Sequence, residues 1–132
     1  MIVLDASAIV AMLLERGAGA EPIRRRVEIP EESIHVPHLM DVEVLHALRR
    51  LVLQGNLTPQ RSEEALEDLG NTRMTRYAHT AFTVRIWELK HNLTAYDAAY
   101  VALAESLAAP LVTLDARLAQ TPGLRAPVEV YG

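Results

Sequence analysis

The chain has 132 residues, half of them apolar, and a formal charge of −4. Its length suits one domain with a real core, and its mild negative charge excludes a general nucleic-acid coat protein without excluding a nuclease. The absence of cysteine rules out disulfides, thiolate zinc sites and cysteine nucleophiles.

Residues 1–4 read as a buried strand, and 6–15 as a helix that ends near Gly17 and Gly19. The first fourteen residues are nearly all apolar, but Asp5 and Ser7 interrupt them and no basic region precedes them. They are too short to span a bilayer, so a leader peptide is not expected and the expected location is the cytoplasm. Residues 21–27 form a short charged helix with Pro22 in its first turn. A second strand, 33–36, is closed by Pro37. The 39–53 segment is a strong amphipathic helix stopped by Gly55 and Asn56. Another helix, 58–69, has Thr58 as N-cap and Pro59 in the first helical position. Residues 75–78 form a weak edge strand within a hairpin-like region, and 81–91 are helical, carrying Phe82, Ile86, Trp87 and Leu89. An Ala-rich helix, 94–107, ends at Pro110; a strand at 111–114, a short helix at 116–120 and a last strand at 128–131 complete the chain. There is no repeat, linker or low-complexity segment. Strands alternating with helices imply a parallel α/β sheet with right-handed crossovers.

Four acids stand out against this pattern. Asp5 and Asp115 directly follow short apolar strands, whereas Glu43 and Asp97 lie in apolar helical patterns, where a charge is costly unless something pairs with it. A parallel sheet gathers its strand ends along one rim, outside which ligands bind. No nearby side chain obviously balances four carboxylates there; a hard divalent cation would. Each acid also has a plainer role. Asp5 and Asp115 suit helix N-caps, and Thr94 with Asp97 matches a capping box. Glu43 falls on one shoulder of the stripe Met40, Val44, Ala47, Leu48 and Leu51; Asp41 sits on the other, and spacing does not choose between them. Ser7 and Thr113 are candidates for supporting the neighbouring carboxylates, Thr113 sharing one side of its strand with Asp115.

The five histidines show no zinc spacing, although His35 and His38 flank a strand end. Gly-rich phosphate loops and a nucleophile elbow are absent. Lys90 is the only lysine among thirteen basic residues, so no lysine stands near a strand end to grip a phosphate or form a Schiff base.

Asp5 with Ser7, Glu43-Val-Leu-His-Ala-Leu, Tyr96-Asp-Ala-Ala-Tyr-Val-Ala-Leu-Ala-Glu and Leu111-Val-Thr-Leu-Asp-Ala-Arg-Leu together resemble the PIN-domain family, in particular the VapC-type toxin ribonucleases of toxin–antitoxin systems. The last two segments are the most specific, and the resemblance covers essentially the whole chain as a single PIN domain, 1–132. His46 is a departure, since many relatives carry a small amide there. The resemblance implies a three-layer α/β/α sandwich with a central parallel five-stranded sheet. It implies that Asp5, Glu43, Asp97 and Asp115 hold Mg²⁺ or Mn²⁺, and it favours Glu43 over Asp41. It also implies hydrolysis of RNA by cation-activated water, leaving a 5′ phosphate and a 3′ hydroxyl, with Ser7 and Thr113 in support. Arg24, Arg25 and Arg26, or Arg73 and Arg76, are candidates to meet the RNA backbone, against the commoner reading of a solvated charged face.

The helices at 39–53 and 61–69 carry more apolar surface than a small sheet needs, which suits a dimer face or a partner helix. The resemblance points to a homodimer and to a cognate antitoxin that blocks the acidic groove, with DNA reached only through that antitoxin. Competing readings are a non-catalytic PIN-like scaffold or RNA-binding module, and another metal-dependent phosphodiesterase acting on DNA or a phosphatase.

Overall fold

Ile2, Val3 and Leu4 are wholly buried and form β1 (Ile2–Leu4), the central strand of a five-stranded sheet in the computed structural model, which describes residues 1–132. The chain then runs through α1 (Ala6–Leu14), α2 (Ala20–Val27), β2 (Ile34–Pro37), α3 (Leu39–Leu53), α4 (Pro59–Asn71) and β3 (Thr75–Tyr77). A 3₁₀ turn (His79–Phe82) leads into α5 (Thr83–Glu88), followed by α6 (Ala95–Leu107), β4 (Leu111–Thr113), α7 (Ala116–Ala119) and β5 (Val128–Val130). The strand order is β3-β2-β1-β4-β5, and every pair is parallel.

That order has a direct consequence. The chain starts in the middle, steps outward to β3, then returns across β1 to build the other half. Right-handed crossovers in opposite directions place their helices on opposite faces. Accordingly α1 packs against α2, α3 and α4, whereas α6 lies across β1, β2 and β4 with α5 beside it. The direction reverses between β1 and β4, so the carboxyl ends of those two strands frame the switch point of the sheet. Val3 pairs with Leu111 and Leu4 with Val112. The Asp5 amide extends this ladder by donating to the Val112 carbonyl at 3.1 Å, which brings Asp5 level with the end of β4.

Helix α6 explains its own weak periodicity. Residues 98–104 are buried without interruption, as expected of a helix covered on all sides, and four alanines among them keep it close to the sheet.

Two segments differ from the sequence expectation. The 81–91 stretch is a 3₁₀ turn followed by a six-residue helix, because Phe82 and Ile86 pack on the core whereas Trp87 stays 68% exposed. The 71–79 region is not a hairpin: β3 pairs with β2 in parallel, and α3 with α4 supplies the crossover. Direction of pairing is a tertiary property that a three-residue strand does not encode.

Four of the five arginines weighed as candidates for RNA contact are engaged within the protein. Arg26 pairs with Glu32 and, at 2.8 Å, with Glu129, tying α2 to β5. Arg76 grips both oxygens of Asp41, at 2.6 and 2.9 Å, clamping β3 to the start of α3. Arg24 and Arg25 share Glu21, whereas Arg73 makes no ion pair. No helix is long and apolar enough to cross a membrane.

Candidate active site

Asp5 is the most deeply buried acid of the molecule. Extended backbone at Asp5 lets its carboxylate cap α1, accepting the Ala8 amide at 3.0 Å on Oδ1. Ser7 donates to the same oxygen at 2.6 Å, and Thr113 donates to Oδ2 at 2.5 Å. Both hydroxyls are themselves oriented from β4 and its exit. Ser7 Oγ accepts the Leu114 amide at 3.1 Å, and Thr113 Oγ1 accepts the Asp115 amide at 2.9 Å. The end of β4 is thus stitched onto the Asp5 carboxylate, and with three donors committed, that carboxylate keeps one rotamer.

Asp97 sits one turn into α6. Thr94 caps this helix, its hydroxyl accepting the Asp97 amide at 3.1 Å, and the carboxylate is half-buried at the helix start. Glu43 is half-buried on α3, between buried Met40 and Val44 on one side and exposed Val42 and Leu45 on the other. The pairing of Asp41 with Arg76 leaves Glu43 as the α3 acid without an ion-pair partner. Asp115 caps α7 through the Arg117 amide at 2.9 Å, and its two oxygens also receive the Arg117 guanidinium at 3.1 and 2.8 Å.

The carboxylates feel one another. Burial raises the Asp5 carboxyl above the ordinary range against the pull of its hydroxyl donors, and Asp97 adds to the rise. Burial also raises Glu43, opposed by the Tyr100 hydroxyl and reinforced by Asp97 and Asp5. Asp97 is raised by burial and by Asp115. Asp115 alone is lowered, held down by its hydrogen bond from Arg117. The fold therefore gathers Asp5, Glu43 and Asp97 into one repelling group, and Asp115 joins through Asp97 while its oxygens rest on Arg117.

This donor set fits a hard divalent cation, since all four side chains offer oxygen and three lack a balancing charge. Glu43 Oε1 is buried without any hydrogen-bond partner, an expensive state that a bound cation relieves. As the side chains stand, no three close around a single point. A groove of about 770 Å³ opens beside the acids, lined by Ser7, Glu43, His46, Arg50, Tyr96 and Leu114 among others. Arg50 and the 64% exposed Tyr96 had no sequence signal beyond helix position. A cavity of about 810 Å³ lies at the other end of the strands, near Ser33 and Thr75. It is remote from the carboxylates. His35 is buried between Ser33 and Tyr77, bonded to both at 2.8 and 2.7 Å, so it is a packing group apart from the acids.

The PIN domain family model matches residues 2–124. The VapC ribonuclease Mb0985 of Mycobacterium bovis is 44% identical over 98% of this chain and 98% of its own length. Among solved structures, VapBC2 from Rickettsia felis, bound to a DNA fragment from its promoter, superposes with a TM-score of 0.71 at 16% identity over all of both chains. Mycobacterium tuberculosis VapC20, described as a sarcin-ricin loop cleaving toxin, superposes at 0.70 with 16% identity, again over all of both chains. At that identity the two structures speak for the fold, and the sequence match speaks for the family. This chain belongs to the PIN-domain family and, within it, to the VapC group.

Proposed function

We propose that this protein is a Mg²⁺- or Mn²⁺-dependent endoribonuclease of the toxin type, with Asp5, Glu43, Asp97 and Asp115 as its cation-holding and catalytic residues. The observation that carries the reading is the group of mutually repelling acids at the switch point of a parallel sheet, beside an open groove. The ribonuclease relative, similar over its full length, supplies the substrate class.

When bound, the cation supplies Lewis acidity at a phosphodiester oxygen and lowers the pKa of water. Asp5 is the fixed point of the site: its three donors hold the carboxylate in place, so the cation meets an oriented ligand at no further conformational cost. Ser7 and Thr113 position Asp5 and do not touch substrate. Glu43 and Asp97 would bring further oxygens from α3 and α6, and Asp115, whose oxygens rest on Arg117, would add its own. Arg50 and the exposed face of Tyr96 border the groove, where a guanidinium meets phosphate and an aromatic ring meets a base. Cleavage of the P–O bond by water leaves a 5′ phosphate and a 3′ hydroxyl.

Partner binding follows from the surface. Leu45 and Leu53 on α3 and Leu66 on α4 remain exposed around a shallow apolar groove, a surface suited to a second copy or to an antitoxin helix. A chain of net charge −4 is poorly suited to hold DNA alone, so promoter contact falls to the antitoxin.

The test is cleavage of structured and unstructured RNA with Mg²⁺, Mn²⁺ or a chelator, beside Asp97→Asn prepared identically. Cation-dependent cleavage that disappears in a folded Asp97→Asn protein is the expected result. Equal cleavage by both proteins refutes the assignment.

A further inference from the structure

Trp87 is the only tryptophan of the chain and Lys90 its only lysine, and the two meet on the surface. The Lys90 ammonium sits 4.9 Å from the centroid of the indole ring. Even so, Trp87 stays 68% exposed in the last turn of α5, where Phe82, Ile86 and Leu89 supply the contacts with the core. A tryptophan is highly buried on average, so one left open to this extent needs a reason. Lys90 has no carboxylate partner: Glu88, the only acid between Thr83 and Thr94, is bound to Arg85 at 3.2 Å. An uncompensated positive charge and an open aromatic face therefore stand together on an acidic chain.

Their place in the fold points to the acids. The chain leaves α5 through a compact turn, in which the Asn92 and Leu93 amides donate to the Leu89 carbonyl at 3.1 and 3.0 Å, and enters α6 at its cap, Thr94. Two packed helices joined by so short a turn run antiparallel, so the end of α5 lies beside the start of α6. Tyr96, 64% exposed, and Asp97 follow directly. Two exposed aromatic rings thus flank the route into the acidic site.

We infer that Trp87 and Lys90 form a contact site for single-stranded RNA beside the acidic site: an unpaired base stacks on the indole and a neighbouring phosphate meets the ammonium. The inference rests on the nuclease reading given above. A nucleotide carries a flat ring and an anion together, which matches this pair, whereas a duplex keeps its bases stacked inside. Every base has a π-face, so the site holds the strand without reading its sequence.

Because Trp87 is the sole tryptophan, its emission reports on this place alone. The experiment titrates the protein with a short uridine oligonucleotide in chelator and at low salt, following tryptophan emission and the anisotropy of a labelled strand. Saturable quenching that weakens with salt is expected, with far less from a duplex of the same length. Stacking on one aromatic residue is worth roughly tenfold or more in affinity, so Trp87→Ala should weaken binding about tenfold and Trp87→Tyr should restore most of it. Lys90→Gln should lower the salt slope by about one. In Mg²⁺, KM for the same strand should rise about tenfold in Trp87→Ala, with kcat and melting temperature little changed. Cleavage by wild type without quenching of Trp87, or unchanged affinity and KM in Trp87→Ala, overturns the inference and leaves the nuclease reading standing. A shift in emission with protein concentration alone assigns the face, with the exposed Val84, to a second copy and also overturns it. Neither binding nor cleavage of RNA by wild type overturns both readings.

Discussion

Thr113→Val isolates the seam between β4 and Asp5. Thr113 is 0% exposed, and valine has nearly its shape, so the substitution leaves no cavity and removes only a hydroxyl. That hydroxyl makes two bonds, donating to Asp5 at 2.5 Å and accepting the Asp115 amide at 2.9 Å. A hydrogen bond to a charged group is worth about 1.5–3 kcal/mol, and an unpaired amide adds roughly 1 kcal/mol, for a total of about 2.5–4 kcal/mol. For a domain of this length the melting temperature should fall by roughly 8–15 °C. The assay is urea denaturation near neutral pH, with Thr113→Ser as comparator, because serine keeps the hydroxyl and loses only a methyl worth about 1 kcal/mol. The loss should also depend on pH in a defined direction. The Thr113 bond lowers the Asp5 carboxyl against its burial, so its removal raises that carboxyl further. The wild-type advantage is then full where Asp5 is ionised and shrinks as pH falls through the range where Asp5 takes up its proton. A valine variant within about 0.5 kcal/mol of wild type, or equal to the serine variant, would refute the claim that this hydroxyl holds the site together.

Two further perturbations test the frame and the acids. In Gly19→Ala, the added Cβ would lie 2.3 Å from Leu114 Cδ2 and 2.8 Å from the Tyr131 carbonyl oxygen; chemical denaturation should show a loss of about 1–3 kcal/mol from overpacking, and a neutral result would mean that α2 has room to move. Asp5, Glu43 and Asp97 are each raised above the ordinary carboxylate range, mainly by burial. A raised carboxyl favours folding most while protonated, and that contribution is lost as pH rises through its folded pKa. Divalent cation removes the repulsion that remains at higher pH, so the melting-temperature gain on adding Mg²⁺ should be larger at about pH 7.5 than at about pH 5, where protons compete with the cation for the acids. Equal gains at both values would show that these acids do not bind it.

Different parts of this structure were visible in the sequence for different reasons. Strands β1 and β4 could be read because each is a short apolar run that stops at an aspartate, and the structure places Asp5 and Asp115 at those strand ends. Thr58 and Thr94 announced their helices because a cap is local chemistry, and both side chains make the expected bond. What separates Asp41 from Glu43 was invisible, because both lie on shoulders of one stripe; Arg76, 35 residues away in sequence, pairs with Asp41 and leaves Glu43 without an ion pair. The support of Asp5 by Thr113 was likewise hidden, since Thr113 appeared as a neighbour of Asp115 until β1 and β4 were paired. In the arginine triplet the local pairing of Arg24 and Arg25 with Glu21 fits the charged-face reading, whereas the tie from Arg26 to Glu129, 103 positions away, had no local signal.

The strand order also governs when the acidic cluster is completed. Asp5 is made well before its partner Thr113, which follows 108 positions later, and β1 cannot be flanked on its second side until β4 has emerged. Synthesis at about 5–20 residues per second therefore leaves an interval of several seconds or more in which the nascent chain holds Asp5 and Glu43 without Asp115 or the β4 seam. A chain cut short before Leu111 lacks the means to finish the acidic cluster. Under the nuclease reading proposed above, cleavage therefore waits on the second half of the fold, because a chain without β4 carries Asp5 without the seam that orients it.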